Sequence, residues 1–198
     1  MKFTTLLLTA LLAPLAAARC TRRDNVSFAP SPWNATTPQF TAPGWSLSLG
    51  PKDIKNPSLP RDAILTTGNP VLPPPFFADR GLWLYQTGST TKKLRAYMYR
   101  TDATQADKGW TWKWASEAEI AKLDQGRVQK EFWDIGCVYE GRHFLSIGNP
   151  GGPGIGGYKW QVCRPWGKGE WKLMMDVTRE GMECVDSVNF WVDYVTTA

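Results

Sequence analysis

The stretch Tyr158-Lys-Trp-Gln-Val-Cys163-Arg-Pro-Trp-Gly167-Lys-Gly169-Glu-Trp-Lys-Leu-Met-Met-Asp-Val177 decides the fold class. Tyr158, Trp160 and Val162 alternate with polar residues, and Trp171, Leu173, Met175 and Val177 alternate with Lys172, Met174 and Asp176. Period-two alternation puts each set on one face of a strand. Gly167-Lys-Gly169 between them supplies a turn, so the segment reads as an antiparallel hairpin.

The same texture extends outward in both directions. Upstream, strands are expected at Leu82–Thr87, Leu94–Arg100, Trp110–Ala115, Val128–Trp133, Ile135–Tyr139 and Arg142–Ile147, and downstream at Cys184–Val195. Gly-containing turns separate most of them, at Gly88, Gly109, Gly141 and Gly181. Strands this frequent with such short connections predict a mainly β fold, an antiparallel sandwich or barrel. One short helix is expected at about 116–125. Ser116 and Glu119 form a capping box, Ile120 and Leu123 an apolar stripe, and Gly126 a terminator.

Eleven of the fifteen prolines lie between Pro30 and Pro75. Proline fixes φ and removes a donor, so residues 19–80 read as a Pro-rich extended arm on the core, with an edge strand at Trp45–Leu49. The β-rich domain is expected over residues 81–198. Ahead of both, Met1–Ala18 has a positive Lys2, an apolar Leu6–Leu15 run and the small residues Ala16-Ala17-Ala18. That is the pattern of a secretory signal peptide, too short to span a bilayer. No later window is long and apolar enough for a membrane span. The reading is therefore of a secreted, extracellular product.

Export changes the meaning of Cys20, Cys137, Cys163 and Cys184. An even number of cysteines in an oxidising compartment implies two disulfides rather than a metal site. Three pairings are possible. Alternation puts Cys137 and Cys184 on core faces and Cys163 on an outer face, so the favoured pairing is Cys137–Cys184 with Cys20–Cys163. Asn25 and Asn34 head glycosylation sequons. The dibasic pair Arg22-Arg23 reads as solvated surface before it reads as a processing site.

Composition narrows the chemistry. The single His143 excludes two-histidine catalysis and multi-histidine metal centres. A net charge of +5 is mild and argues against nucleic acid as the partner. Gly152-Pro-Gly154-Ile-Gly156-Gly157 matches a dinucleotide fingerprint literally but precedes a strand rather than a helix, so neither a dinucleotide nor any other cofactor is expected. A ribonuclease-like site would draw on His143, Glu131 or Glu140, and Arg142. A glycosidase would draw on a carboxylate pair such as Glu131 and Asp134, Glu170 and Asp176, or Glu183 and Asp186.

Two aromatic features suggest binding. Trp110, Trp112 and Trp114 project from one side of a strand, as a sugar-stacking platform or as a core row covered by the following helix. Arg95, Tyr97 and Tyr99 share what reads as an outer face, where aromatic and basic groups can hold sugars. With its signal peptide, two expected disulfides, β-rich domain and eleven tryptophans, the whole plan resembles small secreted cysteine-containing proteins of filamentous fungi, many of them effectors, elicitors or allergens. The resemblance carries no motif and transfers no site residue. The expectation is a secreted, non-enzymatic binding protein with an extracellular glycan or a host protein as partner. The alternative is a secreted hydrolase.

Overall fold

The computed structural model describes residues 22–33, 45–52, 54–55, 59–67, 73–86, 88–100, 109–131, 133–137, 143–147, 160–175 and 181–194. Within them the chain forms β1 (Phe28–Trp33), β2 (Trp45–Leu49), β3 (Arg61–Thr67), β4 (Phe76–Ala78), β5 (Gly81–Tyr85), β6 (Lys93–Tyr99) and β7 (Trp110–Ala115). After α1 (Glu117–Ile120) come β8 (Val128–Gln129), β9 (Trp133–Cys137), β10 (His143–Ile147), β11 (Trp160–Pro165), β12 (Trp171–Met175) and β13 (Met182–Tyr194). The fold is mainly β, in two antiparallel sheets with one short helix, as the alternation implied.

The first sheet follows the order β4-β5-β6-β7-β3-β12-β11-β13, with β7 also bonded to β12 and with β2 attached to β3. The second holds β1, β13, β10 and β9. The long β13 serves both, pairing with β11 over its first half and with β1 and β10 over its second. The segment before β1 returns to the opposite edge. Asn25 N donates to Phe77 O at 2.7 Å and Phe28 N to Pro75 O at 2.9 Å. The strand path thus closes on itself around one core, which removes the free edge that β4 would otherwise present.

Strand β1 contains Pro30 and Pro32 yet pairs with β13 along its whole length. Being two apart, the prolines lose donors on one edge only, and the other edge is left to bond β13. Strand β3 lies between β2, β7 and β12, so residues 61–67 are central to the sheet, a role the Pro-rich composition around them concealed.

Side chains fill the enclosure. Trp112 and Trp114 from β7, Trp133 from β9, Trp160 from β11 and Phe190 from β13 are all at most 2% exposed. Trp112 lies 5.0 Å from Trp133 and 5.2 Å from Trp160, centroid to centroid, and meets Phe190 edge-on at 6.1 Å. Phe28 stacks on Phe77 at 5.1 Å and so buries the closing segment against the same core. Each such aromatic removes about 150–250 Å² from water, enough to dominate a core this small.

The capping box forms as the sequence implies. Ser116 N donates to Glu119 Oε2 at 2.9 Å and Glu119 N to Ser116 Oγ at 3.3 Å. The helix stops sooner than the expected residue 125, because Gln125 Nε2 donates to the carbonyls of Ile120 and Leu123 at 2.9 and 2.8 Å. Those two carbonyls are thereby satisfied without another helical turn. A 3-10 turn at Gln125–Arg127 follows, with Asp124 as its cap.

Among the described residues a disulfide joins Cys163 to Cys184, directly opposed residues of β11 and β13 with Cα atoms 4.2 Å apart. This overturns both favoured pairings, Cys20–Cys163 and Cys137–Cys184. The cause is an irregularity in the β11–β13 register between Trp160 and Val162. Before it Val185 packs against the core, and after it Phe190 and Val192 do. A bulge of one residue flips the phase of a strand. Cys184 therefore lies on the same outer side as Cys163, with Asp186, whose Oδ1 accepts from Gln161 Nε2 at 2.9 Å.

On that outer side Asp62 ties three strands together. Lys113 of β7 bonds its Oδ1, and Lys172 of β12 lies 2.6 Å from its Oδ2. Burial would raise the Asp62 carboxyl, but the two ammoniums more than offset it and hold it below the ordinary carboxylate range. The net direction at Glu117 is the same: burial raises it, and Arg95 and Lys130 bring it below its ordinary value. A folded value below the unfolded value of about 4 means that the ion pairs contribute stability above that pH and lose it as pH falls through the lowered value. The unfolding midpoint is expected to stay level from about pH 7 to 5 and to drop below about pH 4. Asp62→Asn should flatten that drop in a pH series of thermal melts; an unchanged profile would remove Asp62 from the account.

Candidate functional site

Antiparallel pairing brings alternate strand ends to one rim. Leu49 ends β2, Arg61 begins β3, and Arg61 stands opposite Trp114 near the end of β7. Trp114 in turn faces Ala96 of β6, and Lys93 at the start of β6 faces Tyr85 at the end of β5. A pocket of about 520 Å³ opens at this rim. That volume lies within the range of about 300–1,000 Å³ usual for small-molecule sites, and the mouths of closed sheets are common places for them.

Its apolar lining is Leu49, Leu59, Leu94, Trp114 and Ala115. Its polar lining is Lys52, Arg61, Gln86, Ser116 and Glu119. Trp114 is 1% exposed, and its indole N–H has no acceptor among the described residues. Leu59 is 48% exposed, a large apolar side chain left in water beside the opening.

The charge at the rim is not balanced as it is elsewhere. Arg61 Nε donates to Gly50 O at 2.7 Å and Nη2 to Leu49 O at 3.4 Å, and no carboxylate meets it among the described residues. Partial burial lowers the guanidinium's pKa, yet at any ordinary pH it remains charged. Other buried and half-buried cations are matched by a carboxylate or an aromatic ring. Arg95 bonds Glu117, Lys113 bonds Asp62, Arg164 lies 2.9 Å from Glu183, and Arg100 stacks over Trp110 at 4.4 Å. The Glu119 carboxylate in the same pocket is engaged by the Ser116 amide and hydroxyl. Two carbonyl dipoles hold Arg61 in place without neutralising it, which leaves a positive site facing the pocket.

The residues singled out by sequence are distributed differently. Trp112 and Trp114 are core residues, and Trp110 is half-buried beneath Arg100. The row faces the main enclosure rather than α1. It is the opposite side that α1 covers, where Tyr97, at 0% exposure, packs with Ala115 and Ile120 and has Tyr99 beside it. Burial pushes the Tyr97 phenol upward, and its hydroxyl has no hydrogen-bond partner among the described residues. Arg95 is 6% exposed, stacked on Trp83 at 5.0 Å and paired with Glu117. The face expected to be open is thus covered, because the short helix lies across it and not across the tryptophan row.

His143 is half-buried and meets the Tyr194 ring edge-on at 6.1 Å, with no carboxylate beside it among the described residues. Glu131 is half-buried at the start of the β9 region; Glu140 and Arg142 lie outside the described residues. Glu183 is engaged by Arg164 and Asp186 by Gln161. Glu170 is exposed, Asp134 caps its own neighbour's amide, and Asp176 lies outside the described residues. Cys20, Asn34 and the Gly152–Gly157 loop lie outside them too.

Asn25 is exposed in a turn at φ 60°. Arg22 and Arg23 are docked: Arg22 Nη1 donates to Trp133 O at 2.9 Å, and the Arg23 amide donates to the Tyr194 hydroxyl at 3.0 Å.

No protein-family model matches the chain, and no curated protein and no solved structure resembles it significantly. Among the described residues no group of three or more His, Cys, Asp or Glu has metal-binding geometry, and no helix is long and apolar enough to cross a membrane.

Proposed function

We propose that this is an extracellular, non-enzymatic binding protein whose ligand occupies the rim pocket. The observation that carries the reading is Arg61: a partly desolvated cation, fixed by two backbone carbonyls, unmatched by any carboxylate among the described residues, and lining a concavity of ligand size. Desolvated charge is costly unless it is paired, so such a group recruits a complementary anion. Secretion belongs to the same reading. The leader-like Met1–Ala18 and a cross-strand disulfide suit an oxidising compartment, and the exposed Asn25 sequon suits glycosylation there.

The test is a two-dimensional NMR titration with small anions and saccharides, run beside RNA and polysaccharide hydrolysis assays. The expected result is shifts at Leu49, Arg61, Gln86 and Trp114, with the ligand recovered chemically unchanged. Turnover of RNA or polysaccharide that His143→Ala abolishes in a folded protein would replace this reading with the hydrolase one.

A further inference from the structure

The lining chemistry points to the class of ligand. We infer that the rim pocket takes an acidic saccharide, a uronic-acid unit whose carboxylate is held by Arg61 with Lys52 beside it. This rests on the rim pocket being the ligand site.

Three observations converge. First, Arg61 spends Nε and one Nη2 hydrogen on backbone carbonyls, which leaves the end-on pair of Nη1 and Nη2 hydrogens for a planar acceptor, and Lys52 adds a second cation, exposed and with no ion pair among the described residues. A carboxylate matches a guanidinium fork geometrically. Second, half the lining residues are polar, and Gln86, Ser116 and Glu119 are suited to hydroxyls. A ring with several hydroxyls uses such groups, and an aliphatic acid leaves them unpaired. Third, the enclosure beneath is filled. Trp112, Trp133 and Trp160 occupy it at 0–2% exposure, so among the described residues these rings take the space that an acyl tail would need. The ligand has to lie across the mouth, its less polar face on Leu49, Leu59 and Leu94.

Isothermal titration of the intact, oxidised protein with digalacturonate, neutral digalactose and octanoate tests this. Digalacturonate is expected to bind at least about ten-fold more tightly than digalactose, and Arg61→Gln to remove most of that difference, as loss of a charge-assisted hydrogen bond does. Arg61→Lys should restore part of it. Because Arg61 also anchors Leu49 and Gly50, Lys52→Gln provides a second variant with no structural bond to lose, and it should weaken digalacturonate alone. Equal binding of digalactose overturns the acidic class. Octanoate binding without digalacturonate overturns the saccharide. In both cases, shifts at Arg61 and Trp114 in the NMR titration would leave the pocket itself standing as the ligand site. Failure of all three probes to perturb those residues would sink the inference and the reading beneath it together.

Discussion

Trp112→Ala is expected to lower the midpoint of urea unfolding by about 2 M, from a loss of about 3–5 kcal/mol at a typical slope of about 2 kcal/mol/M. Trp112 is fully buried and touches Trp114, Trp133, Trp160 and Phe190, which come from three other strands besides its own. Truncation to alanine leaves a void that none of these rigid rings can collapse into. A loss of that size is a large part of the 5–15 kcal/mol that holds an ordinary domain folded. Trp112→Phe discriminates between packing and polarity. The indole N–H has no acceptor among the described residues, so phenylalanine removes an orphaned donor along with part of the ring. Its cost should be well under half that of alanine. A shift under about 0.5 M for alanine would show that the indole cluster does not carry the core.

Removing the disulfide by Cys163→Ala with Cys184→Ala is expected to cost about 3 kcal/mol, the loop-closure value for a separation near twenty residues. The bridge spans 21 residues, from β11 through β12 to the first half of β13. Cys163 is completely buried and Cys184 half-buried, so alanine keeps the site apolar and adds only the small cost of the missing sulfur at position 163. A peptide map under non-reducing conditions should contain one fragment joining Cys163 to Cys184, and Cys163 joined to Cys20 instead would refute the assignment. Thermal melts of the double variant then measure the stability term separately.

Period-two alternation made the class of fold readable, because a half-buried strand must repeat every second residue. Trp110–Ala115 has the bounds the sequence implied, and its capping box was visible in Ser116 and Glu119. Phase was lost where a strand is irregular. One extra residue in the β11–β13 pairing moved Cys184 to the outer side, and the only local trace of it was Asp186 interrupting an otherwise apolar alternation. The hairpin between β4 and β5 escaped notice for a different reason. Asp79 and Arg80 turn it at φ 47° and 57°, a conformation usually marked by glycine or asparagine.

The pocket was not legible at all. Lys52, Arg61, Gln86 and Glu119 are scattered over the chain, and what joins them is the common rim of five strands, β2, β3, β5, β6 and β7. No spacing rule reports that. The one available signal was negative: Arg61 has an acidic neighbour, Asp62, but alternation points the two in opposite directions along β3. Asp62 serves Lys113 and Lys172 on the far side, and Arg61 is left unmatched.

The seam between Phe28 and Tyr194 joins almost the whole length of the described chain. On a ribosome the residues of β1 emerge early and their partner strand only after every other described strand. Until synthesis reaches β13, the proline-bearing segment has only the Phe76–Phe77 edge to hold, and the tryptophan core stays open along one side. Such long-range closure is slow. Until then the nascent chain carries its sticky aromatic interior unsealed, and completion of β13 acts as the zip.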